Sequence, residues 1–459
     1  MEKFSPHRPQ QAQQTIKHGF SLCLARPRRF VFGFLQLLLA CGAGLAQQPV
    51  LTRNEAVQLA LAQASNFRQA QFTEQLAAED VKQARAALRP VVTANPSVIY
   101  TSPSLARQPS GTPRPPSYLG ANAITEYQAL VTLSGEWDTS GRLKAALRRT
   151  EALLQAAQAG TETARRTLAE ATDEAYYGLA LATARRQAAE LNLTTATDFE
   201  HLTRLLLDGG EVAPLDLKRA ELQSNTRRDE LAQAQASEKA AADALRALLG
   251  YNFTQPVATL DLLMALPEDA ELSKFTADAI SARPELAQLL AEQRAAAADV
   301  TAALSVRRPQ VTYAFDGGFI SDRLTPAGIG SSNGVRATVA VSLPLFDSGA
   351  GKSRLRQAEI RARSAKAARV LAQIQFAQQF STALAQAESA AGRIRLVSQT
   401  VSDAGRILEV SIARYRAGEA PISEVTDAQN QVAAQRGALY QAVYDYQIAK
   451  ARLRQATGQ

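Results

Sequence analysis

The sequence predicts a mainly α-helical chain with a small membrane β component, and three observations predict it. The order of segments is repeated along most of the chain, apolar residues recur every seven positions over very long stretches, and four short stretches alternate every two residues instead. Only 6% of residues are aromatic while Ala, Gln, Arg and Glu abound, a composition of helices joined along thin seams rather than of one thick core.

Residues 1–46 carry six basic side chains (Lys3, Arg8, Lys17, Arg26, Arg28, Arg29) against Glu2, followed by the apolar FVFGFLQLLLA and the small-residue CGAGLA. This is the pattern of an export signal, since the run from Phe30 to Ala40 is too short to span a bilayer as a stable helix. Two processing sites fit: Cys41, which follows Leu38, Leu39 and Ala40 as in a lipoprotein box, and ordinary cleavage after Gly44, Leu45 and Ala46. Loss of six bases and one acid lowers the formal net charge from +8 to about +3, so basicity gives no argument for nucleic acid. Cys23 and Cys41 are the two cysteines, both at or before the cleavage region, so no disulfide can staple the mature chain.

The remainder falls into two halves of like order. Arg89-Pro90 matches Arg308-Pro309, Trp137-Asp138 matches Phe346-Asp347, and Gly210-Glu211 matches Gly418-Glu419. Each half has a helix of moderate length (54 to 88, and about 274 to 307), an alternating segment, a loop, and a second alternating segment. A very long helix follows (142 to 206, and 351 to 416), then a short turn and a returning helix (215 to 249, and 422 to 457). The long helices would reach about 100 Å, about as far as two of the shorter ones end to end. Each half therefore predicts a two-ply rod, in which the returning helix covers half of the long one and the leading helix covers the rest.

In the second half Phe380, Ala387, Ile394, Val401, Leu408 and Tyr415 recur every seven residues, and Val425, Val432, Leu439, Tyr446 and Leu453 keep the period after the turn. The spacing is that of an antiparallel coiled-coil hairpin. Its tip lies in ARYRAGEAPISEVTDAQN (413–430), and the first half has the matching RLLLDGGEVAPLDLKRAE (204–221). Glycine permits the reversal, and proline is tolerated at the first turn of the returning helix.

The opposite ends are different. In VRATVAVSL, Val335, Ala337, Val339, Val341 and Leu343 alternate with Arg336, Thr338, Ala340 and Ser342, and Tyr127, Ala129, Val131 and Leu133 alternate in the same way. VVTANPSVIY and QVTYAFDGGFI have the composition of hairpin partners. Strands of about ten residues can cross an outer membrane, with Tyr127, Trp137, Tyr313 and Phe319 as interfacial aromatics. Four strands cannot close a barrel, so several chains must pool them, and three chains give twelve. The connecting loops are a proline-rich one over 101–123 and a shorter one near 317–334.

The chain resembles the TolC-type outer-membrane efflux proteins over about residues 50–458. The resemblance rests jointly on the duplicated order, on ARPELAQLLAEQRAAAADVTAALSVRRPQVTY before the third strand, on SLPLFDSGAGKSRLRQAE after the fourth, and on the two tip motifs. It implies a first efflux repeat over 47–250, an equatorial linker over 251–273 and a second repeat over 274–459. It further implies a homotrimer whose shared 12-stranded barrel sits in the outer membrane of a Gram-negative bacterium above a helical tunnel. A periplasmic adaptor and an inner-membrane pump would be its partners, and export of small molecules its task. A one-step protein-secretion duct shares this fold. A periplasmic coiled-coil adaptor is the rival of another class, disfavoured by the alternating VRATVAVSL.

The resemblance also assigns residues. Gly209, Gly210, Pro214, Gly418 and Pro421 form the adaptor-docking tips. Tyr415 stands at the constricted entrance, although as a seam aromatic it is equally a packing residue. Asp216, Glu424 and Asp427 match gate or pore acids, and each also lies near a helix start, where acids are favoured in any case. Glu424 and Asp427 share one helix face outside the seam of Val425 and Ala428, free to face a pore. Asp138 and Asp347 are expected to cap the long helices at the barrel junction. Where some members carry a gate arginine, this chain has Ala420. His201 is the lone histidine after residue 46 and offers no metal site. With no mature cysteine, phosphate-binding glycine loop or histidine cluster, the chain is read as a duct rather than an enzyme, with no cofactor.

Overall fold

Thr52 opens the first helix with a capping box: its hydroxyl accepts from the Glu55 N–H while the Glu55 carboxylate accepts from the Thr52 N–H at 2.8 Å. A computed structural model of the chain describes residues 50–458 apart from 64, 104, 106–124 and 269–270, so the export segment with Cys41 and most of the proline-rich loop lie outside the described residues. The short strand β1 (Val50–Leu51) leads into α1 (Arg53–Ala62) and α2 (Asn66–Ala86). The sequence pattern gives these as one helix. They separate because Gln63 adopts an extended backbone and its side chain fills the space beside Gly250, whose positive φ of 68° closes the helix that passes there.

Strands β2 (Val91–Tyr100) and β3 (Thr125–Trp137) precede the long helix α3 (Arg142–Asp208) and the returning α4 (Pro214–Leu249). A strap follows, with β4 (Ala258–Thr259) and 3-10 turns at Leu262–Ala265, Leu272–Lys274 and Ala277–Ala282. The second half runs through α5 (Pro284–Ser305), β5 (Gln310–Ser321), α6 (Pro326–Ser331), β6 (Asn333–Ser342), α7 (Ala350–Arg416) and α8 (Ile422–Thr457). Helix α5 begins at Pro284 rather than near 274, because the proline ring keeps Arg283 extended at ψ 133° and leaves Pro284 at the first helical position. Strand β5 likewise continues through Gly317 and Gly318 to Ser321, shortening the loop the sequence pattern places there.

The duplication is strict in its helices: α3 and α7 are each 67 residues long, and α4 and α8 are each 36. On α7 the seam residues Phe380, Ala387, Ile394 and Tyr415 are buried, and on α8 so are Val425, Val432, Tyr446 and Leu453. Val401, Leu408 and Leu439 are half-buried. The two hairpins join through α3 and α8, where Ala180, Leu181 and Ala184 share a core with Ala390, Ile394, Ala442, Val443 and Tyr446. Arg185 donates to Gln441 at 2.7 Å, and Gln223 to Asn430 at 3.0 Å.

The strap ties the repeats at mid-height. β1 pairs in parallel with β4, and the Tyr176 hydroxyl clamps both by donating to the Leu51 carbonyl at 2.9 Å and accepting from the Leu260 N–H at 3.2 Å. Leu262 enters the core shared by α3, α7 and α8. Tyr446 donates to Glu271, which also ion-pairs with Lys450. Beside it the Asp173 carboxylate, only 2% exposed, is gripped by Arg53 through two bonds of 2.7 and 2.6 Å.

The remaining strands form one antiparallel sheet in the order β2-β3-β5-β6. Pro96 stands in β2, which is an outer strand of the sheet within one chain. Gly318 is required: a Cβ there would stand 2.0 Å from the Ala129 carbonyl oxygen, and its φ is +150°.

Candidate functional site: an amphipathic sheet and paired hairpin tips

Residues directly opposite in an antiparallel sheet point to the same face, so the register sorts all four strands at once. Val341 pairs with Val311 and on with Trp137; Val339 pairs with Tyr313 and Gly135; Ala337 pairs with Phe315, Leu133 and Val92. Val335, Gly317, Val131 and Ala94 make the next row, and Asn333, Phe319, Ala129 and Pro96 the one after. One face is therefore apolar across these rows except for Asn333 at the β6 edge. The other carries Thr93, Asn95 and Ser97 on β2, Glu126, Gln128, Thr132, Ser134 and Glu136 on β3, Gln310, Thr312 and Asp316 on β5, and Arg336, Thr338 and Ser342 on β6, interrupted by Val91, Ile99, Leu130 and Ile320.

Aromatic side chains mark the helix-proximal end of the apolar face. The rings of Trp137 and Tyr313 lie 4.8 Å apart, and Tyr313 covers Gly135, where a Cβ would meet its hydroxyl oxygen at 2.5 Å. Val98 and Tyr100 on β2 and Val335, Val339 and Val341 on β6 are solvent-exposed in the single chain, and one edge of each of these strands has no strand partner. Among the described residues no helix is long and apolar enough to cross a membrane.

At the junction with the helices the Asp138 carboxylate accepts the N–H groups of Leu143 (3.0 Å) and Lys144 (2.9 Å). Asp347 accepts those of Gly349 (3.0 Å) and Gly351 (2.6 Å), and a Cβ on Gly351 would strike that carboxylate. Both aspartates thus hold the first free donors of a 67-residue helix.

At the far end both turns are built alike. Gly210 (φ +75°) and Gly418 (φ +72°) take the left-handed conformation, and the N–H groups of Glu211 and Glu419 return to the carbonyls of Leu206 and Arg414, each at 2.9 Å. Pro214 is the first residue of α4, whereas Pro421 stands one place earlier, as the N-cap of α8. Gly209, Gly210, Pro214, Gly418 and Pro421 are all exposed, while Ala420 is buried.

The two tips are packed against each other within the chain. Phe199 and Ala220 of the first hairpin share a core with Tyr415, Ile422 and Val425 of the second, and the Phe199 and Tyr415 rings lie 5.2 Å apart. The Tyr415 hydroxyl is buried and makes no hydrogen bond among the described residues. Burial raises its pKa, and the nearby Asp216 carboxylate adds to that rise.

The acids of the second tip separate. Glu424 is half-buried and engaged: Arg414 reaches it across the turn at 2.7 Å and the Ser411 hydroxyl donates at 3.3 Å. Asp427 is exposed and Asp216 half-buried, and His201 is exposed on α3. Spacing alone puts Glu424 and Asp427 on one face, but it gives no sign of the Arg414 partner, ten residues away across a reversal.

A sheet with one apolar face, set on long paired helices, defines the class of membrane channels with a helical extension. The sequence profile of the outer membrane efflux protein family matches residues 56–251 and 276–459, and the chain belongs to that family. It is similar to the outer membrane efflux protein BepC of Brucella suis, 24% identical over 59% of this chain and 58% of BepC, so the match spans less than two thirds of that relative. It is also similar to Protein CyaE of Bordetella pertussis, 29% identical over 84% of this chain and 80% of CyaE. Among solved structures it shares its fold with CusC (TM-score 0.79, 21% identity, 88% of this chain and 91% of that one) and with the outer-membrane channel OprN (0.76, 22%, 88% and 89%). The outer membrane protein VceC of Vibrio cholerae gives 0.77 at 20% identity over 88% and 96%.

Proposed function

We propose that the chain is the outer-membrane exit duct of a tripartite export system for small molecules. In this reading three copies close a twelve-stranded barrel, with their helices forming the tunnel below it. The observation that carries the proposal is the sheet: a largely apolar face opposite a mainly polar one, with unpaired edges on β2 and β6. Such a sheet is stable in lipid only when its edges are paired, because an unpaired backbone group costs several kcal/mol there. Membrane fractionation followed by mass determination in mild detergent tests it. A trimer in the outer-membrane fraction is expected, and a monomer that stays soluble without detergent overturns the reading.

The tips around Gly210 and Gly418 are the surface we propose for the adaptor, since they are the exposed ends of otherwise continuous hairpins. In this reading the packing of Tyr415 against Phe199, with Asp216 nearby, holds the tips together, and Glu424 and Asp427 line the mouth. Because Glu424 already has Arg414, the exposed Asp427 supplies more of the unneutralised charge. In planar-bilayer recordings Asp427→Ala and Glu424→Ala should each reduce cation selectivity, the second by leaving Arg414 unneutralised at the mouth. Equal and negligible effects would return both acids to the role of solvated helix starts.

A further inference from the structure

The polar face of the sheet contains one feature that barrel closure does not use. Among the described residues of β2, β3, β5 and β6, Arg336 is the single cation, and Asp316–Arg336 is the single ion pair with both partners in strands. Thr132, Asp316 and Arg336 are directly opposite one another on three successive strands, on the face turned away from the apolar rows. Asp316 is the seventh residue of the twelve in β5, so this row lies halfway up the sheet.

The carboxylate is fully used. One oxygen accepts the Thr132 hydroxyl at 2.8 Å, and the other accepts Nε and Nη2 of Arg336 at 2.9 and 2.7 Å. The side chain of Asp316 is 12% exposed and that of Arg336 is 72% exposed. The pair is neutral in sum but not in what it shows to solution: the acid is covered and the base is presented. A guanidinium has five donors in a rigid fork, and the bonds to Asp316 occupy one of its edges. The Nη1–Nη2 edge keeps two parallel N–H groups with no partner among the described residues, the geometry that takes a carboxylate or phosphate bidentately.

Stability does not explain the arrangement, because an exposed, solvent-screened ion pair of this kind contributes little. Ionisable groups at membrane depth that face an aqueous path mark the route of a solute, and lumen-facing substitutions tune barrel selectivity. Resting on the duct reading above, we propose that Arg336, oriented by Asp316 and Thr132, is a binding site for the anionic group of a passing solute within the barrel. The three copies of a trimer would set three such forks at one level, suited to a polycarboxylate or phosphate.

The experiment is single-channel recording of the detergent-purified trimer inserted from one side of a planar bilayer, with citrate added on the side facing the barrel mouth. Citrate should block the parent channel in a concentration-dependent way. Arg336→Gln should weaken block roughly tenfold or more, the loss of charge-assisted bonds. Arg336→Lys, which keeps the charge but not the fork, should fall between, and Asp316→Asn should strengthen block by unmasking the cation. A conducting trimer that citrate does not block, or that blocks equally in Arg336→Gln, overturns the inference and leaves the duct reading intact. Absence of a conducting trimer overturns both.

Discussion

Tyr415 shows how a single side chain can be placed for packing and still be polar. Its ring is 4% exposed in the core that joins the two tips, while its hydroxyl has no hydrogen-bond partner there. Tyr415→Phe should therefore leave the denaturant midpoint of the detergent-solubilised protein unchanged or raise it, whereas Tyr415→Ala should cost about 3 to 4 kcal/mol through the cavity it leaves. Asp173 is the opposite case, a buried carboxylate matched by Arg53. Arg53→Ala leaves that charge only the more distant Arg454, 3.9 Å away, and should cost about 3 kcal/mol, measured in the same unfolding experiment. Glu162 gives a pH test. The bond from Arg165 lowers its pKa to about 2, burial opposes this, and Arg166 adds to the lowering. A depressed carboxylate pKa stabilises the fold above the ordinary glutamate value, and that contribution disappears as the pH falls from about 4.5 to about 2. Glu162→Gln should flatten the stability profile within that window and lower the stability above it, near neutrality.

At the scale of elements, much was legible because one period controlled both sequence and burial. The seven-residue spacing from Phe380 to Tyr415 and from Val425 to Leu453 could only be satisfied by two helices facing each other, and glycine followed by proline could only be their turn. The misses have physical causes that no single window contains. The end of α1 at Ala62 goes with Gln63 meeting Gly250, a contact across nearly two hundred positions, and the late start of α5 shows Pro284 overriding a helical composition. Alternation identified the strands, but their pairing register, and with it the row of Thr132, Asp316 and Arg336, appears only when β3, β5 and β6 lie side by side. The seam offers its own test. Ala387 and Ala442 are fully buried in the cores that α7 and α8 share, so Ala442→Leu should overpack the hairpin and cost about 1 to 3 kcal/mol in unfolding measurements. Ser398→Ala, at an exposed position of α7, should stay within about 0.5 kcal/mol of the parent in the same measurement.

At the scale of the whole molecule, the two repeats meet as neighbours, β3 beside β5, so a single chain completes the middle of its sheet and leaves β2 and β6 outermost. If three chains close the barrel, the proposed β6-to-β2 contact is the same at every junction, and a substitution there acts three times. Val339→Asp, on the apolar face of an edge strand, should reduce trimer yield in mild detergent far more than Thr338→Asp on the polar face. The open edges also make folding a race. Until another chain arrives, two rows of backbone donors and acceptors stand beside an oily surface, ready to adhere to any extended polypeptide in any register. Closure needs the meeting of three subunits, whereas clumping needs only two, so slow, dilute delivery to lipid should favour the barrel over the aggregate. Refolding yield should then rise with added detergent micelles and fall when chains are supplied faster than they can be enclosed.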